Sequence, residues 1–140
     1  ATAHDILATL AFMRYLDLEV SLVVVAAVLT VLGYSLNDTI VIFDRARENL
    51  SAGSRRNTNT AQLRAVLNTS ITETLPRTLI TGGTTLAAAL VLAVLAGEVI
   101  RPFALVMGFG IVVGTFSSIF IAAPVLVWIS EHGGRRKVPG

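Results

Sequence analysis

Four apolar stretches, separated by short charged or glycine-containing segments, organise this chain. Val20–Phe43 has the length and apolar character of a membrane-spanning helix, which takes about 20 apolar residues. The stretch before it, Ile6–Leu16, is interrupted by Arg14 and too short to cross a bilayer. It reads as half of a span beginning before residue 1, which places His4 and Asp5 at depth. A third stretch runs from Pro76 to Ala96 and ends in Leu86–Ala96, where no side chain is polar. The fourth is Phe103–Ile129. Pro76 and Pro102 suit the first turn of a helix, where a missing N–H is not needed, and Thr74 is placed to cap the former. Asp17-Leu18-Glu19 and Gly97–Arg101 form the two tight turns. The pattern predicts an all-α, polytopic membrane helix bundle, a single partial transmembrane domain over residues 1–140 with about three and a half spans.

Between the second and third stretches, the 44–75 connection opens on Asp44-Arg45-Ala46-Arg47-Glu48-Asn49. Leu63, Val66, Leu67, Ile71 and Leu75 then recur at helical spacing, which predicts an amphipathic helix on the membrane surface or against the bundle. Ser51–Ser54 reads as the hinge before it. Composition agrees with a membrane protein: 54% of residues are hydrophobic and 14% charged, against about 25% charged in soluble domains. The net charge of +2 conceals an asymmetry. Arg45, Arg47, Arg55, Arg56 and Arg64 lie in the connection, and Arg135, Arg136 and Lys137 in the 130–140 tail. The opposite turns carry Asp17, Glu19 and Glu98 with Arg101, and Arg14 close by. By the positive-inside rule the connection and the tail are cytoplasmic. Basic groups that flank apolar helices without interleaved aromatics point to lipid rather than nucleic acid. The chain has no cysteine, so disulfides and thiolate metal sites are excluded.

Asp38 is the residue with chemistry. An ionised carboxylate in a span costs at least about 2.5–3.5 kcal/mol unless it faces a partner or a polar cavity. At about 1.5 Å per residue, Asp38 lies roughly 27 Å from Val20, and Arg77 about 30 Å from Gly97 on the next, antiparallel span. The two reach one level and are placed to meet across an interhelical cavity. Thr78, Thr81, Thr84 and Thr85 add hydroxyls up the same helix. Gly110, Gly114 and Ser118 repeat every fourth position, a row that allows close helix contact. Simpler readings stand beside these: Asp38 as an interfacial charge answered by Arg45 or Arg47, and Arg77 as a positive-inside anchor. No phosphate loop, His/Cys cluster or nucleophile–base pair occurs, so neither a catalytic residue nor a cofactor is implied. Asp5 is the only other candidate for an intramembrane aspartate.

The run Gly33-Tyr34-Ser35-Leu36-Asn37-Asp38-Thr39-Ile40-Val41-Ile42-Phe43-Asp44-Arg45, followed by Arg47-Glu48-Asn49, resembles the signature of the SecF family, membrane subunits of the SecD/SecF protein-export pair. Arg77–Thr85 and Gly110–Phe120 are similar to the family's later motifs, with mild departures at Gly82 and Ala123. The resemblance covers nearly the whole chain. It implies part of an RND-superfamily membrane domain, with SecD, the SecYEG translocon and an exported polypeptide as partners. It also implies a proton gradient, or sodium in some relatives, as the driving force in the bacterial inner membrane. In that scheme Asp38 carries the proton and Arg77 is its arginine, with Asn37 and Thr39 as motif neighbours. The substrate-gripping periplasmic domain would lie before residue 1. Another RND-type exporter and a non-transporting scaffold remain the competing readings.

The arginine asymmetry makes a topological prediction. In a cysteine-free full-length protein, Ser54→Cys and Gly134→Cys should resist impermeant thiol reagents in intact cells and react after lysis. Ready labelling at Ser54→Cys before lysis reverses the orientation.

Overall fold

The computed structural model describes residues 1–52 and 60–133, and every regular element among them is helical. They are α1 (Thr2–Tyr15), α2 (Leu22–Ala52), α3 (Thr60–Leu95), α4 (Arg101–Ser117), a π-helical turn (Ser118–Ala122) and α5 (Ala123–Gly133). Among the described residues, three stretches are long and apolar enough to cross a membrane: Leu22–Ser51, Ala61–Leu95 and Arg101–Ile129. Part of the expected hinge, Arg55, Arg56 and the basic tail lie outside the described residues.

Local chemistry sets the first turn. Tyr15 ends α1, Leu16 caps it, and Asp17 takes the left-handed conformation at φ 54°. The Asp17 N–H donates to the Arg14 carbonyl (3.2 Å) and the Leu18 N–H to that of Met13 (3.0 Å), which is the Schellman pattern. Aspartate tolerates this φ better than most residues, and Leu18 packs beside Met13 as the motif favours. Ser21 then starts α2, its Oγ accepting from the Val24 N–H at 3.3 Å.

Two expectations about α3 need correction. The 44–75 region does not hold a separate amphipathic helix: α2 continues to Ala52, and a single α3 starts at Thr60. Nor does a helix begin at Pro76, which lies in the interior of α3. Thr74 is no cap; its hydroxyl donates to the carbonyls of Ser70 (2.9 Å) and Ile71 (3.2 Å). A proline inside a helix removes one backbone bond and costs about 3 kcal/mol. The tertiary contacts explain why the helix persists. Leu67, Ser70, Thr74, Thr78 and Gly82 form one buried stripe that runs across the proline without a break. On the turn before it, Arg45 Nε donates to Glu73 at 2.7 Å, and Asn49 Nδ2 to Ser70 and Glu73 at 3.0 Å each. The apolar residues read as amphipathic pack inward, with Leu63 and Leu67 against Ala46, Leu126 and Val127.

α4 is the central helix, in contact with α1, α2 and α3. Phe12 of α1 stacks on Phe109 of α4 with ring centroids 4.0 Å apart. α2 turns Val24, Ala27, Val31, Ser35, Asp38, Ile42 and Ala46 inward, a 3–4 spacing that keeps one face toward its neighbours. Along this face Val31, Ser35 and Thr39 meet Gly110, Gly114 and Ser118. A Cβ at Gly110 would overlap both Val31 methyls and sit 2.9 Å from its Cβ; one at Gly114 would sit 3.3 Å from the Ser35 Cβ. Thr39 and Ser118 share a hydrogen bond of 3.1 Å. The π-helical turn follows directly. Pro124 has no N–H to give the Phe120 carbonyl four residues back and crowds it, and a widened turn relieves that clash.

The interior is layered. Met13, Val24, Ala27 and Val106 make an apolar cluster at one end, and Ala46, Leu67 and Val127 another at the opposite end. Asp5, Thr9, Ser35, Asp38, Thr78, Ser117 and Ser118 are buried between. Outward faces are apolar instead, with Leu29, Ile40, Ile80, Leu90, Val94 and Phe116 exposed, the arrangement a lipid solvent selects.

The α2–α4 approach predicts a specific sensitivity. Gly110→Ala should destabilise the purified protein by about 1–3 kcal/mol, the range for overpacking, and Val31→Ala in the same chain should restore most of the loss. Gly83 has open space around its would-be Cβ, so Gly83→Ala should be neutral or stabilising by up to about 1 kcal/mol. Thermal or detergent denaturation of the four proteins checks this; equal stability of Gly110→Ala and its parent would remove the contact from the account.

Candidate functional site

Asp38 sits midway along the inward face of α2 and is 4% exposed. Its Oδ2 is buried and has no hydrogen-bond partner. One turn away on either side along the same face lie Ser35 and Ile42, both fully enclosed. The flanking motif residues diverge: Asn37 is exposed, whereas Thr39 is half-buried and bonded to Ser118. Two further hydroxyls at this level, Tyr34 Oη and Ser117 Oγ, are buried without a partner. Tyr34 Oη lies beside Gly82, where α2, α3 and α4 converge and a Cβ would come within 3.3 Å of it. The centre of the bundle thus holds an acid and unsatisfied hydroxyls in a setting where burying an unpaired polar group is costly.

Arg77 does not pair with Asp38. No ion pair or hydrogen bond joins the two among the described residues, although the guanidinium is close enough to act on the carboxyl through space. The reason is helical phase. Thr78 occupies the buried stripe of α3, so Arg77 projects one position aside, into a cleft of about 340 Å³ with Val41, Asp44, Arg45, Glu48, Glu73 and Thr74. Inside that cleft Arg45 is already committed, through Nε to Glu73 and through Nη1 to Glu48 at 2.6 Å. Asp44 continues α2 below Val41 and so extends the polar surface away from Asp38.

Of the α3 threonines at this depth, Thr78 is buried in the stripe, whereas Thr81, Thr84 and Thr85 do not converge on Asp38. Thr81 donates to the Arg77 carbonyl, Thr84 to those of Ile80 (2.9 Å) and Thr81 (3.0 Å), and Thr85 to Thr81 (2.7 Å). Each hydroxyl is spent on its own helix, a common fate for threonine at helical spacing. A larger groove of about 740 Å³ opens between the start of α3 and the π-helical turn, but it is lined mainly by apolar groups such as Ile71, Phe120 and Trp128 and lies apart from Asp38. Among the described residues, no group of three His, Cys, Asp or Glu is placed to hold a metal ion.

Sequence reasoning placed His4 and Asp5 at depth in a partial span, with Asp5 a candidate intramembrane aspartate, and gave Ser35 no role. The structure encloses Asp5 completely and joins it to Ser35 of α2. A signal was present: Asp5, Thr9 and Met13, four apart, are the buried residues of α1. What the spacing could not supply was the residue opposite.

Residues 1–132 match the family model described as "Protein export membrane protein SecD/SecF, C-terminal". The chain is 58% identical over 135 residues to "Protein translocase subunit SecF" of Gemmatimonas aurantiaca, covering 96% of this chain and 39% of that protein. It is 48% identical over 132 residues to the subunit of the same name from Thermodesulfovibrio yellowstonii, covering 94% and 43%. A solved structure, "Crystal structure of SecDF in Super-membrane-facing form", superposes with a TM-score of 0.83 at 41% identity, covering 96% of this chain and 18% of that one. The chain therefore spans about two-fifths of the length of these SecF relatives. Nearly the whole of it matches the family model and places its buried acid within a bundle of membrane-crossing helices, so this chain belongs to the SecD/SecF family of protein-export membrane proteins.

Proposed function

We propose that this chain is ion-coupling machinery of a SecDF-type complex and that Asp38 carries the coupling proton. One observation carries the reading: Asp38 is enclosed within an apolar span, its Oδ2 lacks a partner, and the nearby Arg77 stands off in a polar cleft. A buried carboxyl group is stable when neutral or when paired with a cation, and unstable as a lone ion. Two arrangements therefore satisfy Asp38: protonated with Arg77 withdrawn, and ionised with Arg77 brought against it. Alternation between them couples each proton taken up to a displacement of α3 along α2. One elementary charge moving through 100 mV releases about 2.3 kcal/mol, enough to bias a two-state element.

In this reading the chain lies in the bacterial inner membrane, with the 44–75 region and the C-terminus on the cytoplasmic side that the arginine distribution favours. SecD supplies the other half of the membrane assembly, SecYEG is the channel it serves, and the exported polypeptide is gripped by a domain outside this chain. The match to the SecDF structure and the SecF names of its relatives support SecD as a partner.

Asp38→Asn keeps shape and hydrogen bonding while removing the titratable proton. In the full-length protein assembled with SecD, it should reduce gradient-dependent export to background with assembly unchanged. Normal proton-driven export by that variant would sink the mechanism.

Arg77 separates pairing from anchoring. Lysine keeps the charge but loses the planar five-donor fork, so both Arg77→Lys and Arg77→Ala should impair coupling at matched membrane levels, the alanine more severely. Full activity of the lysine variant would reduce Arg77 to a topological anchor.

A further inference from the structure

Asp5 is the one ionisable side chain among the described residues that is 0% exposed, and the Asp38 mechanism leaves it unused. The Ser35 hydroxyl, on α2, donates to its Oδ2. His4 Nδ1 lies 3.2 Å from its Oδ1, and the His4 side chain is 52% exposed. Thr9 does not compete, because its hydroxyl donates to the Asp5 backbone carbonyl at 2.7 Å. No lysine or arginine reaches Asp5 among the described ion pairs.

Ser35 is what connects this acid to the first one. It stands three residues before Asp38 on the same buried face, a spacing at which helical side chains are neighbours about 5–6 Å apart at Cβ. Behind it α4 allows no retreat, since Gly114 approaches so closely that even a Cβ there would crowd the Ser35 Cβ. The helices packed on α1 are α2 and α4. α4 carries no ionisable side chain from Pro102 to Ser117. On α2, the Tyr34 hydroxyl lies beside Gly82 of α3 instead. The groups that face Asp5 are therefore His4 on its own helix, and Ser35 with Asp38 beyond it on α2.

We propose that Asp5 is a second proton-carrying carboxyl, exchanging its proton with Asp38 through the Ser35 hydroxyl and with the surface of α1 through His4. The proposal rests on the reading of Asp38 as the coupling residue. In the transfer step, protonated Asp5 gives its proton to the Ser35 oxygen while the Ser35 hydroxyl proton passes to the Asp38 carboxylate. Asp5 ends ionised, Asp38 neutral and Ser35 unchanged; one proton moves and nothing is oxidised or reduced. For this step the Ser35 hydroxyl hydrogen turns from Asp5 toward Asp38 while the Ser35 oxygen stays within reach of the Asp5 carboxyl. The unpartnered Oδ2 of Asp38 is the acceptor that such a step requires. Acids linked in this way titrate as a pair rather than singly.

The test uses the full-length protein with SecD in proteoliposomes, measuring gradient-driven export against pH for the parent, Asp5→Asn, Ser35→Ala and Asp38→Asn. Asp5→Asn and Ser35→Ala should each slow export by at least about a hundredfold, the lower side of what a positioned proton-transfer group contributes, and Asp5→Asn should remove one titration step from the profile. A parent-like rate and profile in Asp5→Asn overturns the proposal, as does a slower rate with an unaltered profile, the mark of a structural role. Should Asp5→Asn fail to assemble, Ser35→Ala decides: a slowed rate with a shifted profile supports the relay, and parent behaviour overturns it. Loss of export in Asp38→Asn alone, with the other two variants normal, removes the relay and leaves the coupling role of Asp38 standing; normal export in Asp38→Asn removes both.

Discussion

The close contact of α2 with α4 is the constraint on which the rest of this structure depends. Gly110 lies against Val31, Gly114 against Ser35, and Ser118 is bonded to Thr39, so two rows of residues four apart meet in register. In lipid, helices gain nothing from hiding apolar surface from each other and associate through backbone proximity and packing. The missing side chains on α4 let it come near enough to close over Ser35 and Asp38. A methyl at Gly110 would hold the helices apart, and the polar layer would lose its enclosure. The isolation of Asp38 is thus a consequence of what α4 lacks.

Enclosure of this kind concentrates polarity instead of removing it. Apolar clusters seal both ends of the interior, while the layer between them holds two aspartates and several hydroxyls. Thr81, Thr84 and Thr85 of α3 return their hydrogens to carbonyls of their own helix. Asp38 Oδ2, Tyr34 Oη and Ser117 Oγ remain unsatisfied. Burying such groups is unfavourable in any folded protein, and their concentration around one acid marks the place where protonation or a shift of helices changes the energy most. Pro76 in α3 and the π-helical turn after α4 interrupt regular helical hydrogen bonding on two of the helices around it. Helices bend most readily at such positions.

The cleft that holds Arg77 adds a second feature. Arg45, Glu48, Asn49, Ser70 and Glu73 join the extended ends of α2 and α3 through direct hydrogen bonds. Exposed ion pairs contribute little to stability, so this network positions more than it stabilises. Its effect is to hold α3 continuous through Pro76 and to surround Arg77 with carboxylates in the cleft rather than deliver it to Asp38.

Much of this was legible in the chain itself. Length and apolarity defined the long spans, because a bilayer imposes its thickness on any helix that crosses it. The cost of charge in hydrocarbon singled out Asp38, and fourfold repetition exposed the small-residue row of α4. These are local properties, readable one helix at a time. Three things were decided only by the tertiary structure. α3 runs through Pro76 because contacts from α2 and α4 outweigh the lost backbone bond, whereas sequence rules see only the proline. Arg77 turns into a cleft because Thr78 takes the buried position, a matter of helical phase that equal depth in the membrane does not reveal. Asp5 meets Ser35 because α1 packs on α2 across thirty residues of chain, and no periodicity within either helix records which residue of the other will stand opposite.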